Sequence, residues 1–367
     1  MKVCINLLNY KSYQMGGVES YIKNVIKLLN ENKNERITLI YIVNKYAYKR
    51  FINLIKQNEV YIYDFNPDNI ISSVLWQKRN LKKIIKKLKI DILFSPQTIL
   101  PIKLDNITTI SVFHDVRFKD LPNNFPLIKK LWLEYIYRIT LKNTDVILTI
   151  SNYTKNRLKK YFDCGKKRIV VIYNSIYINK KIDKEKEKEV LNYYNLESKD
   201  YYYTICSTHK HKNLKTLIEL YNKTKEKLII TGPKRDQFNN LYHLKKENVI
   251  LTGYINEVEK NILLKNCKLF LFPSTYEGFG MPIIEAFMHG KNVVTTKKAA
   301  IPEISFNKAT YVEDPFDINE WHKKIDIALK NKENLELENF FNRQYNDKAI
   351  SKEYLALLLS IGDGINE

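Results

Sequence analysis

The fold class follows most directly from Pro273–Pro302, which reads PSTYEGFGMPIIEAFMHGKNVVTTKKAAIP. The run before it, Lys268–Phe272 (KLFLF), is short, apolar and bounded by a proline, as expected of a buried parallel strand. Pro282 suits the first position of a helix, because the N–H that proline lacks would be unpaired there. Strand, glycine-containing loop and helix together predict one unit of a doubly wound α/β domain.

Two carboxylates flank that loop: Glu277 precedes the predicted helix, and Glu285 falls in its predicted first turn. Backbone N–H groups at a helix start attract a diphosphate, and Gly278 and Gly280 allow a ligand to approach the backbone. A carboxylate accepts hydrogen bonds from two neighbouring hydroxyls. The segment therefore predicts a nucleotide-sugar site, with the diphosphate at the turn and the diols on the acids. A glutamate in a first helical turn also fits a purely structural role toward the helix dipole.

The same segment resembles the C-terminal signature of glycosyltransferase family 4, the retaining nucleotide-sugar transferases of GT-B fold. That signature is a Glu, seven residues and a second Glu, with Gly-Phe-Gly between them. The matching residues are Glu277, Gly278, Phe279, Gly280, Met281, Pro282, Ile283, Ile284 and Glu285. The resemblance implies that Glu277 holds the donor sugar and Glu285 the ribose. It also implies that Gly278–Pro282 binds the donor, with backbone N–H groups from Phe279 and Gly280.

Size and composition indicate a two-domain protein, since 367 residues suffice for two separate cores. No apolar run reaches the length of a membrane span, and the first residues become polar too early for a secretory signal. The cysteines Cys4, Cys164, Cys206 and Cys267 are scattered, which indicates neither a disulfide framework nor a zinc site. We expect a cytoplasmic, reduced protein.

The formal charge of +21 is distributed unevenly. Residues 1–180 contain 32 Lys and Arg against 13 Asp and Glu, whereas residues 181–367 contain 29 against 27. This asymmetry predicts that the first half meets an anionic surface. Gln77–Lys89 combines an apolar helical stripe, expected to pack on the first sheet, with seven basic residues, and Leu127–Tyr137 mixes lysines with Trp and Tyr. We therefore hypothesise peripheral attachment to the inner face of the cytoplasmic membrane.

Strands alternate with helical patterns in both halves, which favours parallel sheets. The predicted strands of the first half are Lys2–Leu7, Ile37–Val43, Asp91–Phe94, Ile107–Phe113, Asp145–Ile150 and Ile169–Ile172. The predicted helices there are Val18–Asn30, Ile70–Leu88 and Leu127–Leu141. The second half has predicted strands at Tyr201–Ser207, Leu228–Thr231, Val249–Thr252, Lys268–Phe272 and Asn292–Thr295.

The domain boundaries follow from a charged stretch, Asn179–Glu189, which is poor in apolar residues and predicts a linker leading into a short helix at Val190–Tyr194. We place the first domain at 1–178, the linker region at 179–200, the donor domain at 201–345 and a C-terminal helix at 346–367. The resemblance implies GT-B architecture: two facing Rossmann-like, doubly wound domains with a cleft between them. It also implies that the last helix crosses back to the first domain.

In the first domain, residues at three sites match the family. Gly16 and Gly17 open the first helix; they fit an ordinary turn, but the resemblance places them near the donor phosphate and the acceptor. His114 ends a predicted strand, and the resemblance implies a catalytic position facing the donor sugar, with Asp115 structural. Ser151 also matches a family position, and its simplest role is to cap the following helix.

In the second domain, Lys212 follows the first predicted strand and resembles the lysine of the family's Lys-Asn pair. A cation here stabilises the charge that develops on a diphosphate leaving group. The family commonly has an arginine about five residues earlier, where this chain has Ser207. Lys210 or His209 is left to supply the second positive charge, without the bidentate geometry of arginine.

Gly253 and Tyr254 end another predicted strand, and the resemblance implies that the backbone there contacts the nucleotide base. No Asp-x-Asp triplet occurs in the sequence. We therefore expect metal-independent chemistry, in which helix N-termini and Lys212 supply the electrostatic stabilisation. No cofactor is expected beyond the donor itself.

The leading interpretation is a retaining glycosyltransferase that moves a hexosyl group to a glycan or lipid-linked saccharide in surface polysaccharide or lipopolysaccharide synthesis. A GT-B-fold nucleotide-sugar epimerase or phosphorylase is a second interpretation. A basic nucleic-acid-binding protein is a remote third, supported only by charge, so no nucleic acid is expected as a partner. The sequence leaves open the donor base and sugar, the acceptor, the linkage and the oligomeric state.

Overall fold

The computed structural model describes residues 1–13, 16–32, 34–178, 181–232, 241, 243–331 and 335–365. The chain divides into two compact units. The first unit comprises Met1–Ser175 and Tyr345–Glu367, and the second comprises Ile176–Gln344. Each unit contains its own parallel sheet. The α/β fold class predicted from the alternating pattern is confirmed.

The first unit contains a seven-stranded parallel sheet. Its strands are β1 (Lys2–Leu7), β2 (Thr38–Asn44), β3 (Glu59–Tyr63), β4 (Ile92–Ser95), β5 (Thr108–Phe113), β6 (Val146–Thr149) and β7 (Arg168–Val171). The spatial order is β3-β2-β1-β4-β5-β6-β7. The strand order reverses between β1 and β4, which makes this the topological switch point of the sheet, where ligands bind in open α/β folds.

The helices of the first unit lie between these strands and at the end of the chain. They are α1 (Gly17–Glu31), α2 (Lys45–Ile55), α3 (Ile70–Leu88), α4 (Arg117–Asp120), α5 (Leu127–Asn143) and α6 (Asn152–Tyr161), with a 3₁₀ turn at Pro122–Asn124. The stripe predicted on α3 is confirmed: Leu81, Ile84, Ile85 and Leu88 are buried in one cluster with Cys4 of β1 and residues of β2. Burial of this stripe fixes which face of α3 points to solvent.

The second unit contains a six-stranded parallel sheet. Its strands are β8 (Tyr201–Ile205), β9 (Lys227–Thr231), β10 (Val249–Gly253), β11 (Leu269–Phe272), β12 (Val293–Thr296) and β13 (Thr310–Val312). The spatial order is β10-β9-β8-β11-β12-β13. Its switch point therefore lies between β8 and β11.

The helices of the second unit include those that begin directly after β8 and β11. They are α7 (Lys184–Tyr193), α8 (Leu214–Tyr221), α9 (Glu257–Asn266), α10 (Met281–Met288), α11 (Ile301–Ile304), α12 (Ile318–Lys330) and α13 (Leu335–Gln344), with a 3₁₀ turn at Lys210–Lys212. The last helix, α14 (Asp347–Ile365), belongs to the first unit. There the hydroxyls of Tyr21 on α1 and Tyr354 on α14 share a hydrogen bond of 2.7 Å.

The predicted linker region 179–200 belongs, in its described residues, to the second unit, and the short helix predicted there at Val190–Tyr194 begins six residues earlier, at Lys184. Asp183 caps α7 by accepting hydrogen bonds from the backbone N–H groups of Glu185 and Lys186. Glu187 then forms an ion pair of 2.8 Å with Lys265 on α9. Ion pairs of this kind stabilise the helix. Val190 is its one buried apolar side chain, so its sequence shows only a weak hydrophobic periodicity.

The elements that the prediction omitted include β3, β13 and α2. Both strands lie at the edges of their sheets and are only partly buried, which weakens the apolar signal of an edge strand. Helix α2 begins at an asparagine cap, Asn44, whose side chain accepts hydrogen bonds from the N–H groups of Tyr46 and Ala47. The predicted ranges of the other strands are confirmed to within a few residues at each end.

Within the described part of the chain, no helix is both long enough and apolar enough to cross a membrane. All four cysteines are buried free thiols, in agreement with the absence of a predicted disulfide framework. Burial raises the pKa of the Cys206 thiol to about 12, so this cysteine, at the end of β8, is a neutral thiol at physiological pH.

Candidate functional site

The residues predicted to bind a donor converge at the switch point of the second sheet. Lys212 follows β8 and Glu277 follows β11, and these two strands are neighbours. Because the strands are parallel, both loops leave the same edge of the sheet. Residues separated by 65 positions in the chain are thereby brought together.

Three hydrogen bonds to one carbonyl group join the two loops. The carbonyl oxygen of His211 accepts hydrogen bonds from the backbone N–H of Thr275 at 2.7 Å, from the Thr275 hydroxyl at 3.0 Å and from the Ser274 hydroxyl at 3.3 Å. The next residue but one, Asn213, adopts a left-handed conformation, and its side-chain amide donates to the carbonyl oxygen of Pro315 at 2.7 Å. These bonds fix the backbone on both sides of Lys212.

Lys212 and Glu277 form an ion pair with 2.5 Å between Nζ and Oε1. Their side chains are only 19% and 13% exposed, so the pair is partly desolvated. The Lys212 ammonium also lies 5.5 Å from the centre of the Phe272 ring. An ammonium group has three N–H donors, so Lys212 can hold Glu277 and still bind an anionic ligand.

The helix start beside this pair has the geometry of an anion site. Gly280 precedes α10 with φ of +107°, a conformation that L-residues rarely adopt. The helix begins at Met281, and Pro282 is its second residue, one position later than predicted. The carbonyl of Glu277 accepts a hydrogen bond from the N–H of Ala300, which fixes the loop from the other side. The first N–H groups of a helix have no acceptor inside it and favour a phosphate.

The loop residues between the two glutamates differ in burial. Phe279 is 3% exposed and packs into the unit, whereas Gly278, Met281 and Pro282 are half-buried. The phenyl ring therefore acts as an anchor for the loop. The backbone that it holds in place lies beside Glu277.

Glu285 is the fifth residue of α10, so the prediction that it lies in the first helical turn is wrong. The turn at Gly280 lets the helix start at Met281, one residue before the predicted start at Pro282, so Glu285 lies one position deeper in the helix. Glu285 instead forms an ion pair of 2.9 Å with Lys260 on α9. The two side chains are 16% (Lys260) and 15% (Glu285) exposed. A long-range partner, rather than the helix dipole, is thus what holds this carboxylate.

Lys260 is a site residue that the sequence prediction missed. Burial lowers the pKa of its ammonium, but the neighbouring carboxylates of Glu285 and Glu257 outweigh burial and hold the pKa above its ordinary value. Lys260 is therefore charged at all physiological pH values. The sequence around Lys260 does indicate the start of α9, through a capping box in which the side chains of Asn256 and Glu259 each accept a hydrogen bond from the other's backbone N–H. That pattern does not indicate that Lys260 pairs with a residue of α10.

The remaining predicted donor residues of the second unit do not join the Lys212–Glu277 pair. Gly253, with φ of +72°, ends β10, and its carbonyl accepts a hydrogen bond from the N–H of Gly232. Tyr254 is 52% exposed. Lys210 begins the 3₁₀ turn that ends at Lys212, and its side chain is exposed.

In the first unit, the predicted residues lie around the other switch point. Gly16 caps α1 with φ of +86°, and Gly17 is the first residue of that helix. The Nε2 atom of His114 lies 2.8 Å from the carbonyl oxygen of Pro96, the residue after β4. Because a carbonyl only accepts, Nε2 carries the hydrogen, and the Nδ1 atom of a neutral ring is an acceptor.

The ring of His114 packs edge-on against Tyr21 of α1, with 4.8 Å between ring centres. Burial lowers the pKa of His114, against the opposing effects of the Pro96 hydrogen bond and the Asp115 charge. Histidine 114 is therefore neutral at pH 7. Tyr21 is itself held by Tyr354 of α14, so the last helix supports the position of this ring.

Two neighbouring residues have the structural roles that the sequence predicts. Asp115 accepts a hydrogen bond of 2.9 Å from the N–H of Arg117 and so shapes the turn after β5. Ser151 caps α6 by accepting a hydrogen bond of 3.1 Å from the N–H of Thr154. Among the described residues, no group of three or more His, Cys, Asp or Glu side chains could hold a metal ion.

Comparison with known families gives two matches that together span most of the chain. The model described as Glycosyltransferase Family 4 matches residues 15–180, and the model described as Glycosyl transferases group 1 matches residues 181–345. The second match contains both glutamates and Lys212. The first contains Gly16, Gly17 and His114.

Among curated relatives, the chain is 26% identical over 238 residues to O-antigen chain mannosyltransferase B of Escherichia coli, which covers 61% of both chains. It is 28% identical over 235 residues to O-antigen chain mannosyltransferase RfbU of Salmonella typhimurium, which covers 62% of this chain and 61% of the relative. The matches thus span about three fifths of these relatives' own length.

Among solved structures, sucrose-phosphate synthase from Thermosynechococcus elongatus gives a TM-score of 0.76 at 12% identity and covers 99% of this chain and 100% of that one. The Anabaena protein Alr3699/HepE in complex with UDP-glucose gives 0.70 at 16% identity and covers 98% and 100%. These similarities confirm the GT-B fold class, with its two Rossmann-like domains.

Proposed function

The chain belongs to the glycosyltransferases of family 4, and we propose that it transfers a hexosyl group from a nucleoside-diphosphate sugar to a hydroxyl of a glycan or lipid-linked saccharide. The observation that carries this proposal is the pairing of Lys212 with Glu277 at the switch point of the second sheet. A cation, a carboxylate and a helix N-terminus meet there, and each matches one part of such a donor. The mannosyltransferase names of the two relatives favour mannose as the sugar.

In the proposed complex, the diphosphate binds at the start of α10 and accepts a hydrogen bond from Lys212. Developing negative charge on the leaving diphosphate is then stabilised by groups that are already in position, which lowers the barrier without reorganisation. Lys210, on the same 3₁₀ turn, is our candidate for the second cation. Its side chain is exposed and can turn toward the phosphate. A lysine there would act as a point charge, without the bidentate hydrogen bonds of an arginine.

The two glutamates divide the remaining contacts. Glu277 binds hydroxyls of the donor sugar, and Glu285 binds the two hydroxyls of the ribose. Lys260 holds one oxygen of Glu285, which orients the carboxylate before the ligand arrives. A positioned carboxylate loses less side-chain entropy on binding than a mobile one. Gly253 and Tyr254 are our candidates for contact with the base.

We propose further that the reaction retains the anomeric configuration and needs no metal. The leaving diphosphate itself takes the proton of the acceptor hydroxyl on the face from which it departs, so no side chain is required as general base. His114, neutral and hydrogen-bonded through Nε2, offers Nδ1 as an acceptor toward the sugar. Lys212 and the N–H groups of α10 replace the charge of a metal at the diphosphate.

The pathway proposal follows the names of the relatives, which are O-antigen mannosyltransferases. We propose that this chain acts in surface polysaccharide or lipopolysaccharide synthesis, in the cytoplasm at the inner face of the cytoplasmic membrane. A lipid-linked acceptor presents its saccharide at that surface. The basic first unit is suited to this location.

The test is a product analysis with each nucleotide-hexose, with and without a lipid-linked saccharide acceptor, with and without a chelator. We expect a new glycosidic linkage of retained configuration that requires the acceptor and survives the chelator. Sugar epimerisation without an acceptor would instead identify an epimerase. Activity that is lost with the chelator and restored by Mg²⁺ or Mn²⁺ would contradict the metal-independent mechanism.

A further inference from the structure

Helices α3 and α5 of the first unit expose an apolar surface that the proposed chemistry does not use. We define the α3–α5 patch as Ile71, Leu75, Ile128, Leu131 and Tyr135, whose side chains line one groove of about 510 Å³. Ile128 is 83% exposed and Leu131 is 62% exposed. Large apolar side chains exposed singly are ordinary, but a contiguous group marks an interaction surface.

The position of the patch is fixed by the packing of two regular helices. The buried stripe of α3 packs on the first sheet and turns Ile71 and Leu75 outward. The floor of the groove contains Val74 and Trp132, one from each helix. The Lys78 ammonium lies 3.3 Å from the Tyr135 hydroxyl and donates a hydrogen bond across the groove.

The rim of the patch is basic. Lys78 and Arg79 lie on α3 directly beside Leu75, and Lys129 and Lys130 lie on α5 beside Ile128. Helix α3 contains six basic residues and no acidic one. A surface of apolar side chains surrounded by lysines is the composition that binds an anionic lipid leaflet, with apolar groups in the acyl boundary and ammonium groups at the phosphates.

We propose that the α3–α5 patch is the membrane-docking surface of this enzyme and that its partner is an anionic lipid leaflet into which Ile71, Leu75, Ile128 and Leu131 insert. Charge complementarity favours this partner over a second copy of the chain. Two copies would bring two basic rims together, whereas anionic lipids neutralise them. The inference deepens the proposed function, on which it rests, by naming the surface that brings the enzyme to a lipid-linked acceptor.

The test measures sedimentation with vesicles of phosphatidylcholine alone or mixed with phosphatidylglycerol, at low and at physiological salt. We expect the wild-type protein to partition at least about tenfold more to the anionic vesicles. The double variant Ile128→Ser and Leu131→Ser should lose about tenfold in partitioning at both salt concentrations, because apolar burial is little affected by salt. The variant Lys78→Gln and Arg79→Gln should lose most at low salt.

The matched control is Ile327→Ser and Leu335→Ser, which removes two exposed apolar side chains, 43% and 74% exposed, from the second unit. It should bind vesicles like the wild type. Equal partitioning of the wild type to neutral and anionic vesicles would overturn the proposal, and so would wild-type binding by the Ile128 and Leu131 variant. A dimer that these same two substitutions dissociate would identify the patch as a self-association surface instead.

Nucleotide binding distinguishes failure of this inference from failure of the proposed function. In a thermal-shift assay with UDP, GDP, ADP and dTDP, all three variants should keep the shift that the wild type shows. A retained shift also shows that the variants fold. Donor binding without vesicle binding would overturn the docking surface alone. Vesicle binding without any nucleotide shift would overturn the proposed function and leave the surface standing.

Discussion

The ammonium nitrogen of Lys212 lies 2.5 Å from a carboxylate oxygen of Glu277, although 65 positions separate the two residues. The parallel strands β8 and β11 bring them together, and the carbonyl of His211 locks their loops. The pair holds each group in the position where a donor needs it. It also means that both charges are already partly desolvated before the ligand arrives, which strengthens their later contacts with it.

Removal of the Lys212 charge should impair transfer far more than folding. For Lys212→Met we expect turnover to fall by about 10²–10³, because a fixed cation at the leaving group is lost. The control is Lys215→Met, which removes an exposed lysine from the adjacent helix and should keep wild-type activity. Steady-state kinetics with saturating donor measures both. Turnover of Lys212→Met within twofold of the wild type would contradict the assigned role.

Lys260 should matter for affinity as well as for stability. Lys260→Met leaves the half-buried Glu285 carboxylate without its partner, and we expect a loss of about 2–3 kcal/mol in unfolding free energy. Adding Glu285→Gln should restore most of that stability, because the uncompensated charge is gone. Donor affinity should remain at least about tenfold weaker in the double variant, since the ribose contact is lost. Recovery of both quantities together would show that the pair is only structural.

Two glycines of the second unit should respond differently to alanine. A Cβ on Gly232 would lie 2.3 Å from the carbonyl oxygen of Cys206, so the backbone must move, and we expect a strongly destabilised protein. A Cβ on Gly280 would meet no atom closer than 3.7 Å, so there is room for it. Only the φ of +107° opposes the substitution, and we expect it to lower the unfolding free energy by about 1–2 kcal/mol. Urea denaturation of the two variants measures the contrast. Equal losses would contradict it.

The lowered pKa of His114 predicts an acid-sensitive contribution to stability. Between its ordinary value near 6.5 and its lowered value in the fold, the unfolded chain binds the proton more readily. The unfolding free energy should therefore fall as the pH decreases through this window, by up to about 1.4 kcal/mol per pH unit. His114→Gln should show a smaller decrease over the same range in urea titrations. An identical pH dependence in both proteins would contradict the assignment to His114.

The sequence was sufficient to predict the elements with strong local signals. The apolar runs at Lys2–Leu7 and Lys268–Phe272 predict central strands, and Ile70–Leu88 predicts α3 with its observed ends. The edge strands β3 and β13 were not predicted, because partial burial weakens their apolar pattern. Within the predicted linker region 179–200, α7 begins six residues before the helix predicted there, because charge pairs that hydrophobic periodicity does not detect stabilise its first turns.

In the candidate site, too, the residues with a local sequence signal could be predicted and the others could not. Both glutamates, the glycine turn and Lys212 could be named from the spacing and the family resemblance. Lys260 could not, because its pairing with Glu285 depends on how α9 packs beside α10, and nothing local to either helix specifies that contact. The position of Glu285 in the helix differs from the predicted one by one residue, since the left-handed conformation of Gly280 sets where α10 begins.

The measurement that tests the central claim most directly is a thermal-shift panel of UDP, GDP, ADP, CMP and dTDP with the wild type, Glu285→Ala and the control Glu219→Ala. One nucleoside diphosphate should raise the melting temperature of the wild type and of the control, with a stabilisation of about 2.7 kcal/mol at a hundredfold excess over Kd. The gain should disappear in Glu285→Ala. A gain that survives unchanged in Glu285→Ala, or no gain with any nucleotide in the wild type, would contradict a nucleotide-sugar site at the start of α10.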